Sequence, residues 1–152
     1  MAASKEEIVQ SLKQAYNAEV ETVINYLANS LHLEGVRADF IKQALAADIQ
    51  EELGHAQQIG NRIKQLGGGI PGSIHLKMTQ KSLEPPADPT DVITIIKGVL
   101  TAEHEAIAMY NSIIKLTDGS DYVTQDMAIQ ILSAEEAHRQ QFEGYLKEYA
   151  KG

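Results

Sequence analysis

Cysteine is absent from the 152-residue chain. That excludes disulfides, thiolate zinc sites, iron–sulfur clusters, a rubredoxin-type iron centre and cysteine nucleophiles together. Any metal would have to be held by oxygen and imidazole nitrogen, donors that suit Fe, Mn or Zn. Nor is there an apolar run near the roughly 18 residues of a membrane span, so no membrane partner is expected. Clusters of lysine and arginine are missing too: 13 basic residues stand against 21 acidic ones, for a formal charge of −8. That balance argues against a nucleic-acid partner held by phosphate neutralisation. A negative surface, or a negative interior in an assembly, would instead draw cations. The lead Met1-Ala-Ala-Ser enters a helix with no basic or apolar signal region, so a cytoplasmic location is expected.

What is present is helical periodicity. The chain reads as all-α, a single domain over 1–152 and long enough to bury a core. Ser4-Lys5-Glu6-Glu7 is a capping box, and the stripe Ile8, Leu12, Ala15, Tyr16, Val23, Tyr26, Leu27 follows it to about Glu34. A second helix is expected from Asp39 to Leu66, through Phe40, Ala44, His55 and Ile63, ended by Gly67-Gly68-Gly69. A third should run from Thr90 or Asp91 to Thr117, and a fourth from Asp121 to Tyr149 after the turn Asp118-Gly119-Ser120.

Residues 67–89 hold all four prolines and form a loop of 23 residues. Helices of about 28 residues are roughly 42 Å long. An extended connector of this length reaches about 75 Å. It can therefore travel the length of a bundle in which the second and third helices are parallel. The expectation is a four-helix bundle of two antiparallel hairpins joined by a long crossover.

The chemistry lies in an internal repeat. Glu52-Leu53-Gly54-His55 and Glu135-Glu136-Ala137-His138 are both Glu-x-x-His. One copy would be a weak signal, since 14 Glu and 5 His give about half a match by chance. Two copies, each preceded by another Glu in an apolar helix, are much stronger. Ala18-Glu19-Val20-Glu21 through Tyr26 aligns with Ala102-Glu103-His104-Glu105 through Tyr110. Each hairpin thus carries the same set at nearly the same spacing, 33 residues from Glu19 to Glu52 and 32 from Glu103 to Glu135. Packed about a pseudo-two-fold axis, Glu19, Glu52, His55, Glu103, Glu135 and His138 would converge mid-bundle, an arrangement general to di-metal carboxylate bundles. Four carboxylates would neutralise two divalent ions.

Other residues take lesser roles. Tyr26 and Tyr110 lie two turns beyond their Glu on the same face, and either could donate to a ligand carboxylate or be oxidised. Glu21 and Glu105 should point away from the site, toward solvent or another subunit. Glu51 and Glu136 adjoin the candidate ligands and are candidates to line an ion route. His32, His75 and His104 read as surface residues, and the four Met as core packing.

On Ala18-Glu19…Asn25-Tyr26, Glu52-Leu-Gly-His55, Glu103 and the segment Tyr122 to His138, the chain resembles the ferritin-like superfamily, in particular bacterioferritin and the Dps-like mini-ferritins. The resemblance implies two Fe ions per chain, with Mn or Zn possible in their place. Glu19 and His55 would hold one and Glu103 and His138 the other, with Glu52 and Glu135 bridging. It implies a ferroxidase that oxidises Fe(II) with O2 or H2O2 for iron storage and peroxide detoxification. A rubrerythrin-like peroxidase or a manganese catalase is the alternative. Where bacterioferritin has its haem-binding Met, this chain has Leu53, so haem is not expected. The fifth helix of 24-subunit cages does not follow helix four, which implies a homo-oligomer such as a dodecamer or a smaller assembly.

Overall fold

A computed structural model describes residues 2–151. Four helices fill it: α1 (Lys5–His32), α2 (Asp39–Gln65), α3 (Val92–Thr117) and α4 (Tyr122–Ala150), with no strand among the described residues. Each boundary has a local cause. Ser4 and Glu7 close the capping box reciprocally, at 3.1 and 3.2 Å. Asp91 and Asp121 accept from the backbone N–H of Thr94 and Thr124, so both are caps rather than first-turn residues. After α2 the chain turns at Gly67, whose φ of +87° suits glycine alone. α1 stops two residues earlier than its apolar pattern suggested, because Leu33 leaves the helix and is buried at the turn into α2.

α1 packs along α2 and α3 along α4, and α1 also meets α3 across the bundle. Tyr26 of α1 reaches Glu103 of α3, while Tyr110 of α3 reaches back to Glu19 of α1. Those crossed contacts make α1 and α3 antiparallel, and therefore α2 and α3 parallel, so the crossover has to run the length of the molecule. It does so along α1. Lys77 pairs with Asn17, Gln80 with Glu21, Thr22 and Asn25, the Leu83 carbonyl with Asn29, and the Pro86 carbonyl with His32. From Asn17 to His32, 15 residues of helix are thus matched by 9 of connector, Lys77 to Pro86, because an extended chain rises more per residue than a helix. Two short 3-10 turns, Ser73–His75 and Lys81–Leu83, interrupt it. The second presses so closely on α3 that a Cβ at Gly98 would collide with the Ser82 carbonyl.

The apolar core is in two parts. One gathers Tyr26, Leu33, Ile41, Leu45, Leu83, Ile95, Val99 and Phe142. The other gathers Leu12, Ala15, Ile59, Ile63, Tyr110, Ile113 and Ile131 at the opposite end. A polar layer lies between them. Several expected core residues face outward instead: Leu27 and Phe40 are about half exposed, and Met78 likewise, so not every Met packs inside. Met109 and Met127 do pack against the second cluster, and Met1 lies outside the described residues. Helical spacing sets a stripe; which neighbour covers it decides burial.

Candidate metal centre

The polar layer consists of residues the helices cannot avoid bringing together. On α1, Glu19 lies in the same inward stripe as Leu12, Ala15 and Tyr26; on α3, Glu103 follows Val99 and Ala102 inward. On α2 and α4 the three-residue offset of Glu52 to His55 and Glu135 to His138 stacks each carboxylate beside its imidazole. All six side chains are buried. Their donor atoms form two groups, Glu19, Glu52, His55, Glu135 and Glu52, Glu103, Glu135, His138, each within 4.8 Å of one another. Glu52 and Glu135 belong to both groups.

The two histidines have the same orientation. His55 Nδ1 lies 3.2 Å from Glu135, 3.6 Å from Glu19 and 3.6 Å from Glu52. His138 Nδ1 lies 3.5 Å from Glu52 and 3.9 Å from Glu103. Their Nε2 atoms point out of the layer toward α2: that of His138 meets Glu51 at 2.9 Å and Asp48 at 3.5 Å, and that of His55 is 4.0 Å from Glu51. One carboxylate therefore steers both rings. On the other side, the Tyr26 hydroxyl donates to Glu103 at 3.1 Å and the Tyr110 hydroxyl to Glu19 at 2.5 Å. Each tyrosine serves the glutamate of the opposite hairpin rather than its own.

Every one of the six residues retains a buried polar atom without a hydrogen-bond partner: Glu19 Oε2, Glu52 Oε1, His55 Nδ1, Glu103 Oε2, Glu135 Oε1 and His138 Nδ1. An unpaired buried polar atom costs on the order of 1–3 kcal/mol. Six in one layer are not tolerable as packing, and they are the lone pairs a cation would take.

Protons redistribute accordingly. Burial, reinforced by Glu52, pushes Glu19 well up, and burial with Glu135 pushes Glu103 up to about 12. Burial works against the Glu52 carboxylate, but contacts from Glu19, His138 and His55 outweigh it and hold Glu52 below the usual range. Burial would also lower the imidazoles, yet Glu135, Glu19 and Glu52 lift His55 to about 12, and Glu52, Asp48 and Glu51 lift His138 to about 9. Protons on Glu103, His55 and His138 thus offset part of the buried charge.

Three findings differ from the sequence reading. Glu21 does not face solvent: it is buried and accepts from the Gln80 backbone N–H. Its repeat partner Glu105 is exposed, as expected. Glu51, although exposed, stands beside both histidines and forms a third donor group with Asp48 and His138, whereas Glu136 belongs to none of the groups. Asp48 was not singled out, although Asp48, Glu51, Glu52 and His55 share one face of α2 at i, i+3, i+4 and i+7. His32, His75 and His104 are exposed.

Comparison with known proteins follows the same lines. The family model of the ferritin-like domain matches residues 9–151. The DNA protection during starvation protein of Pyrococcus furiosus is 31% identical over 144 residues, spanning 93% of this chain and 77% of that protein. A bacterioferritin-related protein from Bacteroides fragilis, described as a dodecameric thioferritin, superposes with a TM-score of 0.86 at 26% identity, over 98% of this chain and 89% of that one. A ferritin-like diiron-carboxylate protein from Bacillus anthracis str. Ames shares the fold with a TM-score of 0.81 at 22% identity, over 96% and 99% of the two chains.

Proposed function

The chain belongs to the ferritin-like domain family, and from that premise we propose that it binds two iron ions per chain and oxidises Fe(II) with O2 or H2O2, for iron storage and peroxide detoxification. Glu19 and His55 would hold one ion and Glu103 and His138 the other, with Glu52 and Glu135 available to both. The observation that carries this reading is the set of six buried, unpartnered polar atoms, one on each of these residues. The donor set fits iron: carboxylate oxygens and imidazole nitrogens, two imidazoles for four carboxylates. The arrangement is the one general to di-iron carboxylate bundles.

When bound, the two Fe(II) supply the redox chemistry, each yielding one electron, so that H2O2 leaves as two waters after taking up two protons. The protein's part is placement. Glu51, hydrogen-bonded to His138 Nε2 and close to His55 Nε2, turns both Nδ1 atoms inward. Tyr26 and Tyr110 each engage one oxygen of Glu103 and Glu19, leaving the second for an ion. The apolar clusters above and below the layer keep bulk water from both ends.

Assembly is part of the proposal. Ile24, Leu27, Leu31, Val36 and Leu53 are exposed large apolar side chains of the kind an interface between copies would cover. The dodecamer described for the Bacteroides fragilis relative makes a homo-oligomeric cage the favoured form. The Pyrococcus furiosus relative carries a name for DNA protection. At a net charge of −8, this chain would protect DNA by consuming Fe(II) and peroxide, not by coating it.

The test is anaerobic loading with Fe(II), then O2 or H2O2. The initial rapid phase of ferric absorbance should saturate near two irons per chain and disappear in Glu52→Ala and Glu135→Ala. Saturation well below that ratio, or full oxidation by both variants, would overturn the assignment. Metal content and native mass of the isolated protein separate storage from a peroxidase or manganese catalase.

A further inference from the structure

The carboxylate layer opens to the outside between α1 and α3, through a cavity of about 190 Å³. Glu19, Glu52, Glu103 and Glu135 form its floor, and Thr22, Gln80, Glu105 and Met109 line the rest. The opening exists because the repeat places alanine there: Ala18 and Ala102 precede the two glutamates, and Ala106 follows one turn on. On the α2–α4 side, by contrast, the two imidazoles stand between the carboxylates and the exposed Glu51. A cation entering between α1 and α3 meets carboxylate oxygen directly.

One wall of this opening is not a helix residue. Gln80 belongs to the crossover and is held through its backbone N–H and both polar atoms of its side chain. Its backbone N–H donates to Glu21 at 2.5 Å, its side-chain amide donates to Thr22 at 3.1 Å, and its side-chain carbonyl accepts from Asn25 at 2.9 Å. The buried Glu21 carboxylate serves only this latch, whereas its repeat partner Glu105 stands exposed at the rim. The repeat is broken at the position where the crossover passes the site.

We propose that the crossover, latched through Gln80 to Glu21, Thr22 and Asn25, gates passage of divalent cations into the layer, with Glu105 as the charged rim that attracts them. This deepens the ferroxidase reading and rests on it. A gate changes the rates of entry and exit together and leaves affinity alone, because both directions cross one barrier. Gln80→Ala removes two of the three bonds and one wall. Entry and exit should each accelerate by about tenfold, the scale set by losing two hydrogen bonds that pin this wall of the opening in place. Glu105→Gln should slow entry and flatten its dependence on ionic strength, since a rim charge acts by steering.

The experiment is stopped-flow Co(II) binding to the intact metal-free oligomer, read by visible absorbance, with release followed by chelator challenge. Asn25→Ala, which removes one latch bond and leaves the cavity lining untouched, serves if Gln80→Ala alters circular dichroism or native mass. Faster entry and release at unchanged affinity and two Co(II) per chain supports the gate. Unchanged rates in both latch variants at that same stoichiometry overturn it and leave the metal site standing. Failure of the unsubstituted protein to bind Co(II) overturns the metal site itself, and the gate with it.

Discussion

Loading two divalent ions into the layer exchanges protons for metal charge, and the number expelled follows from the structure. In the metal-free protein Glu19, Glu103, His55 and His138 are each pushed up in pKa, the last three to about 12, 12 and 9. At pH 7 Glu103, His55 and His138 therefore hold a proton. Metal ligands must be deprotonated, so binding two ions should release at least three protons per chain. Protons leave as metal charge enters, which is why a buried layer can accommodate both states. Near pH 10 His138 is mostly neutral, and release should fall by about one. Isothermal titration with Zn(II) in buffers of different ionisation enthalpy measures this number directly. Glu103→Gln should lower it by one. Release of one proton or fewer at two Zn(II) per chain would refute the assignment of protons, because at least two of Glu103, His55 and His138 would then be unprotonated before loading.

The same four groups set opposite pH trends for the two states. A folded pKa above its unfolded value contributes stability at low pH that is lost as pH rises. For His138 that contribution is fully present below about 6.5 and lost by about 9. The metal-free melting temperature should fall between those values, while the Zn(II)-loaded one rises as protons cease to compete; parallel melts with and without chelator check it. Gly98→Ala should cost about 1–3 kcal/mol, because its Cβ strikes the Ser82 carbonyl. Gly144→Ala, where a Cβ meets nothing, should stabilise α4 by about 0.5–1 kcal/mol, so the pair of chemical melts must differ in sign. Asp121→Ala removes the α4 cap and the 2.8 Å pair with Arg62, for a loss of about 1–2 kcal/mol. Burial opposes the Asp121 carboxylate, but Thr124 and Arg62 outweigh it and hold its pKa low. That stability is present above the unfolded value near 3.9 and lost as pH falls through the lower folded one, so the difference should close in acid.

By itself the sequence determined what depends on local spacing. Ser4 with Glu7, the glycines from Gly67 and the turn at Gly119 delimit helices through contacts within a few residues. The 3.6-residue period sets Glu52 beside His55 and Glu135 beside His138, whatever lies opposite. The 23 residues of the connector were enough to traverse a bundle with parallel second and third helices. Only the tertiary structure decided relations between elements. Glu21 looked solvated because its own helix turns it away from the core, yet the crossover covers it. Leu27 and Phe40 looked buried, yet the neighbouring helices leave about half of each exposed. Tyr26 and Tyr110 share a face with their own glutamates, but the antiparallel packing of α1 on α3 sends each hydroxyl to the other's. A helix fixes the direction of a side chain; what stands at the end of that direction is set by topology.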